Sequence, residues 1–181
     1  MPELHAAATD PLRTYRDDIF AWYVQFPRGF KQVEFEFGRF FWESPLPSSY
    51  PKNRYQFPSI VYIYDPSLKA EFPDAESFFD AGVAHFRAID GVSVDYLIDP
   101  HEVCRGEEIA WEAELIVQNP DDPDVVIGGG WVNRERWLAV DSGDTWYLLR
   151  AAAWPERFDG LQPKLDTFLY TFRFDREPLL P

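Results

Sequence analysis

A chain of 181 residues with 46% hydrophobic and 18% aromatic residues can bury a sizeable core, and its length fits one domain better than two. Its 31 acidic and 17 basic side chains give a net charge of −14, a potential that repels phosphate backbones and anionic membranes. Nucleic-acid binding is therefore disfavoured, and a partner should be basic or neutral. A halophilic source would give the same acidity, and that alternative stays open.

The N-terminal sequence and the single cysteine indicate the cellular compartment of the protein. The first residues, MPELHAAATDPLRTYRDD, carry acids where a signal peptide has basic and then apolar regions. No stretch approaches the roughly 18 consecutive apolar residues that a membrane-spanning helix needs. Cys104 has no second cysteine with which to form a disulfide, which suits a reducing compartment. We therefore expect a cytoplasmic protein that does not insert into a membrane.

The N-terminal part of the chain is predicted to supply short strands. Residues 1–18 are polar and alanine-rich and are expected to form a flexible tail or a short helix, ahead of a single globular domain over residues 19–181. Three runs of aromatic or β-branched residues then predict strands, over residues 20–26, 33–37 and 59–64. The four prolines of residues 44–58 predict a surface loop between the second and third strands.

Two amphipathic helices are predicted further along the chain. The first is expected to begin at Pro73 and Asp74 and to end at Asp90 and Gly91. Its apolar residues recur at three- and four-residue steps: Phe78, Phe79, Val83, Phe86 and Ile89. The second helix is expected to begin near Leu161, with Pro163 in its first turn. Between the helices, the residue patterns predict strands over residues 92–98 and 109–117, followed by a tryptophan-rich hairpin.

That hairpin, IGGGWVNRERWLAVDSGDTWYLLRAAAW, carries four of the seven tryptophans. With Ser142 and Gly143 as the turn residues, the predicted register pairs Ala139 with Trp146, Trp137 with Leu148, Glu135 with Arg150, and Trp131 with Trp154. The tryptophans then share one face with an ion pair. Burial in the core is favoured for this face because large aromatic residues are usually buried, and a partner surface is the alternative.

Gly128, Gly129 and Gly130 precede the hairpin and could suggest a phosphate-binding loop. Such a loop needs glycines between a strand and a helix N-terminus, often followed by Lys and Ser or Thr. Here Gly130 leads directly into the strand residues Trp131 and Val132. The glycines therefore predict a bulge or a bend that twists the sheet.

Few groups in the chain could perform catalysis or bind a metal. Asp99, His101 and Cys104 are close in sequence, and His101 could activate the thiol inside a suitable pocket. The favoured interpretation is a loop that holds a buried, unreactive cysteine. The three histidines form no metal motif, the turn aspartates at positions 121, 122 and 124 are expected to be solvated, and no cofactor is predicted. The alternating acids Glu112 and Glu114 are explained as the solvent-facing side of a strand.

The order of elements and two short motifs resemble the PsbP-like α/β/α family. Residues 26–30, FPRGF, are similar to its aromatic-Pro-x-Gly-aromatic turn, and residues 171–174, TFRF, are similar to the tail that follows its last helix. The resemblance spans about residues 20–174. It implies an α+β fold in which helices flank a central, twisted antiparallel β-sheet. It also implies an accessory role, because members are generally not enzymes and some are similar to chaperones.

These observations lead to two hypotheses about function. The first is an acidic, non-catalytic binding or assembly module, chaperone-like in one form, that binds a protein partner. Its candidate contacts are Trp131, Trp137, Trp146, Trp154 and Arg150, because Trp and Arg concentrate at interface hot spots. The second is a small-molecule-binding protein or hydrolase with a pocket near Asp99, His101 and Cys104. Homo-oligomerisation through the hairpin is compatible with either function.

Overall fold

The computed structural model describes residues 12–17, 21–35, 38–43, 59–63, 66–105, 108–120, 130–143 and 145–174. The strands are β1 (Leu12–Asp17), β2 (Trp22–Pro27), β3 (Phe30–Phe35), β4 (Gly38–Glu43), β5 (Ser59–Ile63), β6 (Ser93–Arg105), β7 (Glu108–Asn119), β8 (Trp131–Asp141), β9 (Trp146–Ala153) and β10 (Arg173–Phe174). The helices are α1 (Ala75–Arg87) and α2 (Pro155–Thr171), and a short 3-10 helix covers Pro66–Glu71. The predicted loop 44–58, Gly128, Gly129 and the aspartates 121, 122 and 124 lie outside the described residues.

The strands form two antiparallel sheets. Seven strands make the large sheet in the order β3-β4-β5-β9-β8-β7-β6, and the small sheet has the order β1-β2-β10. Helix α1 packs on one face of the large sheet, and α2 packs on the other face together with β2. The predicted α+β architecture, an antiparallel sheet flanked by helices, is therefore confirmed.

Residue alternation in β8 and β9 supplies two cores from the same pair of strands. On the α1 face the buried residues include Trp137, Ala139, Trp146 and Leu148. On the α2 face they include Leu138, Val140, Tyr147 and Leu149. Because successive side chains of a strand point to opposite faces, a strand covered on both sides reads as a nearly continuous apolar run. This is why residues 137–140 and 146–149 are apolar without interruption.

Helix α1 begins where its sequence pattern predicts it, but it ends at Arg87, so Ile89 lies beyond the helix and is exposed. The Asp74 side chain accepts a 2.8 Å hydrogen bond from the Ser77 backbone N–H, and the Ser77 hydroxyl oxygen accepts one from the Asp74 backbone N–H. The hydrogen bonds from Ser77 lower the pKa of the Asp74 carboxyl. The helix buries Phe78, Phe79 and Val83 against the large sheet.

Several boundaries differ from the sequence prediction: β4 was not predicted, and β6 runs to Arg105 instead of ending at residue 98. Residues 12–17, expected in a tail or short helix, form β1, because their backbone pairs along its whole length with β2. Helix α2 begins at Pro155 rather than near Leu161, and Pro163 consequently lies inside the helix. Pro155 occupies a first-turn position, where its fixed φ and missing N–H are tolerated. The apolar stripe extends into this first turn through the buried Phe158, so the residue pattern contained a signal that the prediction missed.

The register of the tryptophan-rich hairpin was predicted wrongly by two residues. Asp141 is opposite Trp146, and the Ser142 N–H donates to the Thr145 carbonyl across a longer turn. Ala139 therefore pairs with Leu148, and Trp137 pairs with Arg150. A shift of two residues leaves every side chain on its predicted face, because the side-chain period of a strand is two. The face assignment was correct for Trp131, Trp137 and Trp146, whereas Trp154 lies beyond β9 at the start of α2 and does not pair with Trp131.

The position of Gly130, at the start of β8, requires glycine for steric reasons. Its φ is +103°, and a Cβ atom built there would lie 2.3 Å from backbone atoms of Pro120. A larger residue would thus be both strained and overlapping. This close approach of two backbones, rather than a phosphate cradle, explains the glycine.

Candidate protein-binding surface

The hairpin residues that were candidate partner contacts are mostly part of the core. Trp137 and Trp146 are buried, and their rings lie 6.0 Å from Phe79 and 5.5 Å from Phe78, respectively. Arg150 is buried as well. Trp131 is half-buried against the same α1-side core, and Trp154 is half-buried just before α2. In addition, β5 and β7 flank β9 and β8, so the hairpin offers no open strand edge for homo-oligomerisation.

A buried ion pair accounts for the polar residues of this face. Arg150 donates to both Glu135 carboxylate oxygens over 2.6 to 2.9 Å, although Glu135 lies opposite Ala152 rather than Arg150. Trp137 Nε1 donates to the same carboxylate at 2.6 Å. The Arg150 guanidinium lies 4.1 Å from the centre of the Phe86 ring. The two charges compensate each other and aromatic rings enclose them, so the pair has a structural role.

The candidate pocket at Asp99, His101 and Cys104 is not assembled. All three residues lie within β6, so the expected loop is a strand, and Cys104 is exposed instead of buried. The register places His101 opposite Glu112 and Cys104 opposite Ile109, on opposite faces of the sheet. His101 Nδ1 lies 2.9 Å from the backbone oxygen of Asp99. The imidazole therefore does not reach the thiol, and it meets the Asp99 backbone instead of its carboxylate.

A shallow groove of about 500 Å³ lies elsewhere, between α1 and β6. It is lined by Asp80, Val83, Ala84, Arg87, Ala88 and Tyr96, and includes none of the three pocket residues predicted from the sequence. Across the described ranges, His, Cys, Asp and Glu side chains form no group of three or more that could hold a metal ion. None of the helices described is both long enough and apolar enough to span a membrane.

Acids that were expected to face solvent lie beneath α2, in a charged group that we call the Arg136 cluster. Its members are Glu112, Glu114, Arg134, Arg136, Asp166 and Tyr170. Arg136 contacts Asp166 at 2.5 Å and lies 3.5 Å from oxygens of both glutamates. The solvent-face interpretation of Glu112 and Glu114 was wrong, because α2 covers the strand surface on which they alternate and both are buried.

Burial dominates the electrostatics of the Arg136 cluster. Desolvation raises the pKa of Glu112 and of Asp166, even though the guanidinium of Arg136 opposes the change in both cases. Desolvation and the nearby Glu112 charge raise the pKa of Tyr170 to about 12. Its hydroxyl therefore stays protonated at neutral pH and donates to the Glu112 carboxylate at 3.2 Å.

Arg105 fixes the end of β6 to the C-terminal end of α2. Its guanidinium donates to the backbone oxygens of Leu169 and Phe172, at 3.0 and 2.6 Å. A cation at this position satisfies carbonyls that the helix leaves without an internal partner and interacts favourably with the helix dipole. Tyr170 lies in the same helical turn, so this contact also holds Tyr170 near β7. Sequence reasoning did not identify Arg105, because nothing local distinguishes it from a surface arginine.

The outermost strand of the large sheet exposes apolar side chains. Leu97 and Ile98 of β6 are 52% and 49% exposed, and Tyr170 of α2 is 40% exposed. Ile98 lies opposite Glu114 and His101 opposite Glu112, which is the carboxylate that Tyr170 binds. We call this region the outer-edge surface; it consists of Leu97, Ile98 and Tyr170 with the exposed acids Asp95, Asp99 and Glu102 along the same outermost strand. Glu102 lies opposite Trp111, so it is on the other face of the strand from Ile98 and His101.

Comparison with known proteins identifies the fold. No protein-family model matches the chain, and neither does any curated protein sequence. The chain is similar to the solution structure of cyanobacterial PsbP (CyanoP) from Synechocystis sp. PCC 6803, at 13% identity, with 92% of this chain and 94% of that chain covered and a TM-score of 0.61.

The yeast protein Mog1 gives a second likeness. The chain is similar to the Ran-binding protein Mog1p of Saccharomyces cerevisiae at 10% identity, with 92% of this chain and 97% of that chain covered and a TM-score of 0.54. A point mutant of Mog1 gives 11% identity, the same coverage and a TM-score of 0.59. The chain therefore has the PsbP-like fold, as the order of elements and the two short sequence motifs predicted.

Proposed function

We propose that the protein is a non-catalytic accessory module that binds a protein partner through its outer-edge surface. The observation that carries the proposal is the exposure of Leu97, Ile98 and Tyr170 in one region at the margin of the large sheet. Single exposed apolar residues are ordinary, whereas adjacent ones rimmed by polar side chains mark interaction sites. Mog1p, which shares the fold, is a Ran-binding protein and gives a precedent for partner binding on this architecture.

This proposal moves the contact residues from the hairpin to β6 and α2. Trp137, Trp146 and Arg150 stabilise the α1-side core, and a partner would have to open that core to reach them. Trp131 and Trp154, both half-buried, remain secondary candidate contacts.

Site-specific photo-crosslinking tests the proposal. A photoreactive phenylalanine replaces Ile98 in one variant and Leu12 in a matched control, because Leu12 is similarly exposed, at 46%, but lies on the small sheet. We expect a discrete protein adduct from position 98 alone. The purified partner should then bind Ile98→Glu at least about tenfold more weakly than wild type and bind Leu12→Glu normally. Equal adducts at both positions, or unchanged affinity for Ile98→Glu, would contradict the proposal.

A further inference from the structure

We infer that the segment recognised by the outer-edge surface is basic, with lysines or arginines facing Asp95, Asp99 and Glu102 while its apolar side chains cover Leu97 and Ile98. This inference rests on the proposed function and specifies the chemistry of the partner. It is carried by charge complementarity, by the shielding of the β6 edge, and by the poor fit of a second copy of this chain.

The formally charged side chains of β6 around Leu97 and Ile98 are acidic, while Arg173 lies beside Tyr170 and donates to its backbone oxygen at 2.8 Å. No lysine or arginine lies between Arg87 and Arg105, while this stretch contains the acids Asp90, Asp95, Asp99 and Glu102. The two flanking arginines are directed at carbonyl oxygens: Arg87 donates to Val94 at 2.8 Å, and Arg105 donates to the last turn of α2. Complementary charge on a partner steers association and penalises wrong partners. A neutral or acidic segment would therefore gain less from this surface.

Recognition should occur through side chains, because the backbone edge of β6 is shielded. The β6–β7 register is irregular between Tyr96 and Ile98 and again between Ile98 and His101, and Pro100 lacks an N–H. In the first half of the strand, the Arg87 guanidinium bonds the Val94 carbonyl. Bulges, proline and charge on an outermost strand discourage the addition of another strand. The occupant is thus a side-chain-bearing surface, such as one face of a helix, rather than an added strand.

A second copy of this chain is a poor occupant of the outer-edge surface. Two copies meeting there would place Asp95, Asp99 and Glu102 against the same acids of their partner. The net charge of −14 on each molecule adds to this repulsion. A basic segment instead neutralises the acids that surround the apolar pair.

Two short peptides serve as probes, one with leucines at helical spacing (i, i+3, i+4 and i+7) and lysines at the other positions, and the other with glutamate in place of lysine. Fluorescence anisotropy measures the binding of each to the full chain. We expect the lysine peptide to bind, to weaken as salt approaches about 0.15 M, and to outcompete the glutamate peptide. The triple variant Asp95→Lys, Asp99→Lys, Glu102→Lys should bind the lysine peptide about tenfold more weakly. Leu97→Ser with Ile98→Ser should also weaken binding.

A second triple variant separates site recognition from general attraction to an acidic protein. Glu71→Lys, Glu76→Lys, Glu156→Lys changes the net charge equally at exposed positions away from the outer-edge surface. Equal weakening by both triple variants, or failure of the lysine peptide to bind wild type, overturns the inference. A crosslinked partner whose affinity depends on Ile98 but not on Asp95, Asp99 or Glu102 would also overturn it. That last outcome would leave the proposed function intact, whereas loss of the Ile98 dependence would overturn the proposed function itself.

Discussion

The two faces of the large sheet bury charge in different ways. On the α1 face, Glu135 and Arg150 form a one-to-one pair that aromatic rings enclose. On the α2 face, three carboxylates surround Arg136, and Tyr170 and Asp166 keep the Arg136 cluster partly open to water. An enclosed charge requires its partner, whereas water can share the compensation of a charge near the margin. The two groups should therefore respond differently to substitution.

The largest loss of stability is expected on the α1 face, which we call the enclosed face because aromatic rings surround its ion pair. Glu135→Ala leaves the Arg150 guanidinium buried without its carboxylate, and it also removes the acceptor of Trp137 Nε1. We expect the free energy of unfolding to fall by about 3–5 kcal/mol. Urea denaturation followed by tryptophan fluorescence measures this change.

A double variant identifies the cause of that loss. Glu135→Leu combined with Arg150→Met replaces both charges by apolar side chains of related size, so no buried charge remains. The double variant should be more stable than Glu135→Ala, because replacing a whole buried pair often costs little. If it is as unstable as the single variant, shape rather than charge compensation dominates this face.

A smaller loss of stability is expected when Arg136 is replaced on the α2 face, which we call the open face because its charged cluster is partly exposed to water. In Arg136→Met, Glu114 still contacts Arg134, and Glu112 still accepts from Tyr170. We expect a loss of about 1–3 kcal/mol at neutral pH. The loss should shrink in mild acid, since Glu112 and Asp166 already have raised pKa values and can become neutral. A loss as large as that of Glu135→Ala, and independent of pH, would remove the contrast between the faces.

The sequence predicts the two-sided core better than it predicts the strand pairing. Alternation in β8 and β9 assigns Trp137 and Trp146 to one face whether the turn is short or long. The register depends on the length of the turn, and DSGDT permits both a two-residue turn and the observed longer one. The start of α2 was missed although Phe158 continues the apolar stripe three residues before Leu161, because Gly160 interrupts the segment and Pro163 is also typical of a first turn.

The charged groups were harder to predict because they depend on strand order and helix docking. Glu112 and Glu114 alternate as a solvent-facing pair would, and nothing local shows that Arg136 and Tyr170 will cover them. Likewise, Leu97 and Ile98 resemble the interior of any strand. Only the position of β6 at the margin of the large sheet leaves them exposed.

The pH dependence of stability provides a finer test of the open face. Burial raises the pKa of Glu112 from its ordinary value of 4.5, so the folded state holds this proton more tightly than the unfolded state does. The stabilising contribution is present at low pH and is lost as pH rises through the folded-state pKa. Glu112→Gln should therefore be neutral or slightly stabilising at pH 7, by less than about 1 kcal/mol.

Urea midpoints measured from neutral pH downward check this prediction. The difference between Glu112→Gln and wild type should shrink as pH falls through the folded-state pKa of Glu112 and vanish below the ordinary value of 4.5, where the carboxyl is protonated in both states. A large destabilisation by Glu112→Gln at neutral pH would show that the ionised carboxylate is required here, as it is in the enclosed pair.

The smallest effect is expected from the hydroxyl at the margin of the Arg136 cluster. Tyr170→Phe removes a donor to Glu112, and that hydrogen bond lowers the pKa of Glu112. The variant should raise the pKa of Glu112 further while changing the free energy of unfolding by less than about 1 kcal/mol. Carbon-detected NMR titration of the Glu112 carboxyl measures the shift, with Tyr15→Phe on the small sheet as the matched control. A Glu112 pKa that stays constant or falls in Tyr170→Phe would mean that water already supplies the lost hydrogen bond, which would make this margin of the open face even more solvated than its geometry indicates.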